Sequence, residues 1–265
     1  MSERSLVLRV CGPNGESHCN FVWPLTVGAV VSAPDWSPRE ECGNGLHGWL
    51  HGAGDIGCTD RWSLKGAKWL VVSTETAGIV MLGGKCKYRE CIVEFVGERA
   101  DAAAYIRECC EYARNSAVIG AVASVGNDAS SVVGALGTAT AGDYGTATAG
   151  NGGTATAGYS GTATAGDSGT ATAGDRGTAT AGDGGTATAG NRGTATAGYG
   201  GIATAGNGGT ATAGYGGTAT AGCGGTIVIE WFDGSHYRKA VGIVGENGIE
   251  PNVAYRCDSG KLVKA

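Results

Sequence analysis

The chain has 265 residues, with 51 glycines against 5 prolines and a net charge of −5. Glycine stands at about three times its usual share, and because the excess is periodic it signals a repeat architecture rather than collagen or generic disorder. The block at 121–224 holds Asp128, Asp143, Asp167, Asp175 and Asp183 against only Arg176 and Arg192, so no basic stripe is present to track a nucleic-acid backbone and nucleic acid is not expected as a partner.

In chain order, the opening MSERSLVLRVCG carries early charges and too short an apolar run for a secretory signal. No stretch reaches the ~20 apolar residues of a membrane span; the best candidate, Ser116–Leu136, is interrupted by Asn127 and Asp128. A membrane partner is therefore not expected. Ten cysteines without an export signal point to free thiols in a reducing, cytoplasmic setting.

Residues 1–120 read as an α+β domain. SLVLRVC (5–11), KWLVVST (68–74) and ECIVEFVG (90–97) have strand composition. Trp23, Trp36, Trp49, Trp62 and Trp69 supply an aromatic core that the rest of the chain lacks. ERADAAAYIRECCEYARN (98–115) reads as one helix with Ala102, Ile106, Cys109 and Ala113 on one face.

Within this domain, ECGNGLHGWLHGAGDIGC brings Cys42, His47, His51 and Cys58 into seventeen residues. These are zinc-ligand residue types, but the C-x4-H-x3-H-x6-C spacing is not the paired C-x2-C form. A Gly-rich turn stabilised by Cys42 and His47 is the preferred reading, and no metal or cofactor is implied. Cys42, His47 and Asp55 also supply the residue types of a nucleophile, a base and an orienting acid, which is the basis of an enzymatic reading for residues 36–60.

From Gly137 a glycine recurs every eight residues up to Gly225. Residues 137–224 are eleven consecutive octads of the form GTATAG plus two variable residues, broken in the TAT core only by Ile202. Two degenerate octads, 121–128 and 129–136, precede them, and GTIVIEWF (225–232) follows in phase, giving fourteen. T-A-T-A is a period-2 alternation that puts Thr and Ala on opposite faces of a short strand, and the Gly-x-x-Gly that follows is expected to supply turn residues with φ > 0. Two octads make one sixteen-residue coil, so six or seven coils would stack at about 4.8 Å. The irregular octads set the facing. Ile227 and Ile229 occupy Ala positions and alternate with Glu230, so Ala points inward and Thr outward. Flexible low complexity is the competing reading; the unbroken octad phase and the hydrophobic terminal octads decide for the solenoid. The outward candidates for contact with a partner or with ice are Thr138, Thr140, Thr146, Thr148, Thr154 and Thr156, continuing through Thr162, Thr164, Thr170, Thr172, Thr178 and Thr180. The acids and arginines at the variable positions read as solvated corners.

Residues 226–265 read as a small β cap that covers the last exposed strand edge, with a hairpin signal at FDGSHY (232–237). The fold expected is mainly β: an N-terminal α+β domain (1–120), an octad β-solenoid (121–225) and the cap (226–265).

Residues 213–220 read AGYGGTAT and 197–204 read AGYGGIAT. Both resemble the octapeptide of bacterial ice-nucleation proteins, which is close to AGYGSTxT. The resemblance implies a solenoid of sixteen-residue coils with outward TxT rows. It departs in its Gly for Ser, in its nearly identical octads, and in its sparse tyrosines: Tyr199 and Tyr215 are one coil apart, but Tyr159 falls on the opposite edge. A homodimer through such tyrosines is an assembly the resemblance leaves open. The flanks WSPREECGNGLHGWLHGAGD (36–55), KWLVVSTETAGIVMLGGKCKY (68–88) and VGENGIEPNVAYRCDSGKLV (244–263) resemble the ends of an uncharacterised bacterial and phage family in which such ends flank variable repeat blocks, and no activity follows from that.

Three functions are open. In order of preference these are a non-catalytic scaffold for an unknown protein partner, with a phage-derived inhibitor among its forms; an ice-binding protein using the TxT rows; and an enzyme with its site in residues 36–60.

Overall fold

The short, nearly continuous apolar run of the first segment forms strand β1 (Arg4–Cys11), buried on both faces through Val7, Leu8, Val10 and Cys11. It is the centre of a seven-stranded sheet with β2 (Val30–Ser32), β3 (Leu46–Leu50), β4 (Lys68–Glu75), β5 (Val80–Met81), β6 (Cys86–Tyr88) and β7 (Glu90–Gly97), in the order β2-β7-β4-β1-β3-β6-β5 and antiparallel throughout. The computed structural model describes residues 3–265, which divide into two units, 3–122 and 123–265.

In the first unit the three expected strands are present, and four short ones join them. Of the five tryptophans, Trp23, Trp49 and Trp69 are buried, whereas Trp36 is half-buried and Trp62 is exposed on a short 3-10 turn. The expected helix is split. The first helix, α1 (Arg99–Cys109), ends where Cys110 turns extended (φ −126°, ψ 113°), and α2 (Glu111–Arg114) follows. Within α1 the buried face runs through Ala102, Ala103 and Ile106 and leaves Cys109 exposed, and beyond the break Ala113 is buried. The Cys110 side chain meets His51 Nδ1 at 3.4 Å, a tertiary contact that helical periodicity does not encode.

The second unit follows from the octad. Its fourteen solenoid strands, one per octad from Val122–Ser124 to Thr226–Phe232, alternate between two parallel sheets and make seven coils. Each strand pairs with the one sixteen residues on, in register: Thr138 with Thr154, Ala139 with Ala155, Thr146 with Thr162. The alanines face inward, with Ala155, Ala171 and Ala187 fully buried. A core of methyl groups keeps the coil narrow, and larger side chains enter it only toward the two ends, at Ser131 and Val133 and again at Ile227 and Ile229.

Positive φ falls inside the Gly-x-x-Gly turn, as expected, at one position of it. It lies on the second variable residue of each octad, at Tyr144 (57°), Arg176 (57°), Arg192 (56°) and Gly200 (62°), and not on the octad glycines. Those glycines answer a different constraint, close stacking of coil on coil. The left-handed region costs a non-glycine residue about 1 kcal/mol, and on the edge that follows the Thr138–Ala141 sheet it is occupied at Tyr144, Ser160, Arg176 and Arg192.

The first variable residue is more than a solvated corner. Where it is Asp or Asn, its Oδ1 accepts the backbone N–H of the residue sixteen on: Asn127 from Asp143, Asp143 from Tyr159, Asp175 from Asn191, Asn191 from Asn207 and Asn207 from Cys223. The other edge repeats the pattern from Asn151 through Asp167 and Asp183 to Tyr199. Each such bond contributes about 1 kcal/mol net, similar in size to the left-handed cost beside it.

The C-terminal residues close this unit. Strand Thr226–Phe232 pairs antiparallel with Tyr237–Ile243, and Thr218–Ala221 with Ala254–Asp258, which then pairs with Lys261–Lys264. Asp233 Oδ1 accepts from the N–H of Ser235 and of His236, and Gly234 takes φ 98°, making the expected hairpin turn. Val244, Ile249 and Tyr255 are buried here, with Tyr255 in register with Ala219.

Candidate functional site

The twelve threonines singled out by sequence belong to two separate arrays. Thr138, Thr140, Thr154, Thr156, Thr170 and Thr172 lie on one sheet; Thr146, Thr148, Thr162, Thr164, Thr178 and Thr180 lie on the other. Both arrays extend further along the stack, through Thr186 and Thr188 on the first and Thr194, Thr196, Thr210 and Thr212 on the second. The leading Thr of each pair is exposed or half-buried, and the second is half-buried.

The two faces differ in continuity. On the Thr146 face five consecutive coils carry an intact TxT pair, from Thr146/Thr148 to Thr210/Thr212, and Thr226 continues the leading row. On the Thr138 face the leading row is interrupted by Ile202, 48% exposed, between Thr186 and Thr218. Parallel strands hold such rows at about 4.8 Å between coils and about 6.7 Å along the strand. The in-register sixteen-residue repeat keeps each row straight, and β-branched Thr has one strongly restricted χ1, so the hydroxyls and methyls form a regular lattice with little rotamer freedom to lose.

Aromatic rings gather on the edges. Tyr199 and Tyr215 stack at 5.8 Å between centroids, and Tyr237 meets Tyr215 at 6.1 Å. Tyr144 and Tyr159 make an edge contact at 5.7 Å on the other edge.

Against known proteins, no family model matches the chain and no solved structure matches it. Three curated relatives match over 106 to 110 residues, about the length of the octad block: an ice nucleation protein of Pseudomonas fluorescens (34% identical, 40% of this chain), one of Pseudomonas syringae (32%, 39% of this chain) and one of Xanthomonas campestris pv. translucens (45%, 39% of this chain). The repeat is of the ice-nucleation type. The match spans only 6 to 9% of the length of those ice nucleation proteins, so the likeness concerns the repeat.

The cysteines and histidines of the first unit are drawn to different partners. His51 meets Cys110 and tilts against Tyr112 (5.1 Å). Cys42 Sγ accepts from Lys85 Nζ at 3.1 Å, and Cys58 Sγ lies 4.0 Å from Asp55 Oδ2. His47 sits on β3 beside Lys87 of β6. Asp55 uses its Oδ1 to accept the Gly57 N–H, in a local turn. Among the described residues no group of three or more His, Cys, Asp or Glu is placed to hold a metal ion.

Burial, with Lys85, Arg9 and Lys87 nearby, brings the His47 imidazole down to about 4. His47 is therefore neutral in the fold, while the unfolded imidazole takes up a proton near pH 6.5. The unfolded state then binds more protons across pH 6.5 to 4, and stability falls as pH falls through that window. The urea midpoint of this unit, read by Trp fluorescence, is expected to drop between those pH values, and to drop less in His47→Gln. Equal slopes in the two proteins would refute the assignment.

Proposed function

We propose that the second unit is an ice-binding surface and that the Thr146 face is its working side, in a non-catalytic protein of the cytoplasm. The observation that carries the reading is the unbroken run of TxT pairs on a straight, in-register parallel sheet. Five coils at about 4.8 Å give a lattice about 20 Å long, and its order is imposed by the backbone ladder. The kinship of the repeat with ice nucleation proteins supports the same reading and places it ahead of the protein-scaffold role that sequence alone ranked first. Nucleation by the whole relatives is a property of far longer chains and is not proposed for this one.

Charge on the row is the direct test. Thr162→Lys, Thr178→Lys and Thr194→Lys together place three long cations on exposed positions of one row while leaving the Ala core alone. The wild-type chain is expected to inhibit ice recrystallisation, and the triple variant to lose that inhibition with an unchanged circular dichroism spectrum. The matching triple on the interrupted face (Thr154, Thr170 and Thr186 to Lys) is expected to retain most of it. A folded wild type without ice activity would refute the reading and return the repeat to scaffold.

A further inference from the structure

The first unit contains a cavity of ≈ 380 Å³ that the repeat does not use. Phe21, Trp23 and Trp49 line it, with Phe21 and Trp23 in edge contact at 5.6 Å. Arg9, Arg61, Lys85 and His47 line it too, and Asp35 is the one carboxylate among the lining residues. Three permanent cations line the aromatic wall against one lining acid, with Asp60 beside it 3.9 Å from Arg61 Nε, the reverse of the chain's overall balance of −5.

Arg9 is the centre of the imbalance. Its residue is 8% exposed, and no carboxylate pairs with it among the described residues. Its guanidinium lies 3.9 Å over the Trp23 ring and donates to His47 O (3.1 Å) and Ser17 Oγ (2.9 Å). A guanidinium has five N–H donors; the buried Tyr88 hydroxyl lies close enough to interact with one of them, Nε makes no bond of good geometry, and the remaining N–H capacity is left over. Trp23 Nε1, in a side chain 1% exposed, is likewise unpartnered. A buried charge left unpaired is expensive, and proteins ordinarily resolve it with a counter-ion. His47 is held neutral mainly by its own burial, and Lys85, Arg9 and Lys87 act on it in the same direction. Lys85 Nζ has a thiol, Cys42, as its bonded partner rather than a carboxylate.

We propose that this cavity binds a small organic anion with a flat apolar body: the acidic head is held by Arg9, Arg61 and Lys85, and the body lies against Phe21, Trp23 and Trp49. The volume is within the range of small-molecule pockets, which pair apolar walls with a few placed polar groups. A planar anionic head of carboxylate or sulfonate type matches the guanidinium donors, and the rings favour a π-bodied ligand. The site is independent of the Thr faces.

The test uses the full chain and two dyes of one shape, 8-anilinonaphthalene-1-sulfonate and its neutral analogue N-phenyl-1-naphthylamine. Saturable one-to-one binding of the sulfonate is expected, with quenching of Trp fluorescence and affinity that falls as salt rises. Arg61→Gln with Lys85→Gln, both at positions not fully buried, is expected to weaken the sulfonate by about tenfold or more and to leave the neutral dye unchanged. Because Arg9→Met removes a buried residue and its fold is at risk, Arg9→Lys is the second variant; it keeps the charge but loses the planar fork, and is expected to weaken the sulfonate selectively. Absence of saturable binding, equal affinity for the two dyes, or sulfonate binding indifferent to all three substitutions would each overturn the proposal.

Discussion

Gly169→Ala is expected to lower the denaturation midpoint of the repeat by the equivalent of about 3 kcal/mol, while Gly200→Ala is expected to cost only about 1 kcal/mol. The two glycines look interchangeable in a string of octads, and the geometry separates them. A Cβ on Gly169 would lie 2.8 Å from the Ala165 Cβ and from Gly166 O, and 3.0 Å from Gly153 O in the preceding coil. Two of those three atoms are backbone, and the third is a buried methyl, so relief requires the coils to part and the ladder around Gly169 to stretch. Gly200 has φ 62° and nothing within 4 Å of such a Cβ, so only the left-handed backbone is penalised, as it already is at Arg176 and Arg192. Urea unfolding followed by circular dichroism gives both midpoints. Equal losses at the two sites would show that backbone conformation, not stacking distance, fixes glycine in the repeat.

That distinction marks the limit of what the sequence makes legible. The period of eight, the sixteen-residue coil and the inward Ala follow from spacing and from two substitutions, Ile227 and Ile229, whose neighbour Glu230 must face solvent. The placement of positive φ does not follow, because a Gly-x-x-Gly turn offers four positions and the glycines are the obvious ones. The Asx bonds need the stacking register first. Once strands sixteen apart are neighbours, the recurrence Asn151, Asp167, Asp183 becomes a visible signal, whereas read linearly it resembles solvated charge. The division of the threonines into two faces likewise requires counting octads by odd and even.

The first unit was less legible for a different reason. Its short strands, LHGWL and CKY, carry His, Gly, Cys and Lys, none of which advertises a central sheet position. Lys87 is fully buried there, its Nζ donating to Glu41 O (2.8 Å) and Gly43 O (3.3 Å), against the strong tendency of lysine to stay at the surface. Those two bonds tie down the loop that carries Cys42. The Cys/His segment carries ligand residue types without ligand spacing, and the fold keeps that distinction. Cys42, His47 and Cys58 line one cavity, while β3 delivers His51 to Cys110, so the four are not brought to one point.

Removal of residues 226–265 is expected to turn the chain into one that self-associates. Two parallel sheets would then end on bare strands, Thr210–Ala213 and Thr218–Ala221, which Thr226–Phe232 and Ala254–Asp258 now cover. Open edges of this kind template pairing with another chain, and here every exposed strand has the TATA pattern that pairs in register throughout the stack. The native end resists this in two ways. Its last strands run antiparallel, which breaks the repeating parallel register, and its core changes from Ala to Ile227, Ile229, Val244, Ile249 and Tyr255, filling the end with larger side chains. Tyr255 Oη also accepts the Glu250 N–H at 2.8 Å, fastening the covering loop. Tyr255→Ala alone is therefore expected to cost about 3 kcal/mol without changing the mass in solution, while the truncated chain is expected to show a mass by light scattering that rises with concentration. A truncated chain of unchanged mass would mean that the methyl core and the Asx bonds hold the last coil closed by themselves, and that the antiparallel strands serve some purpose other than covering the edge.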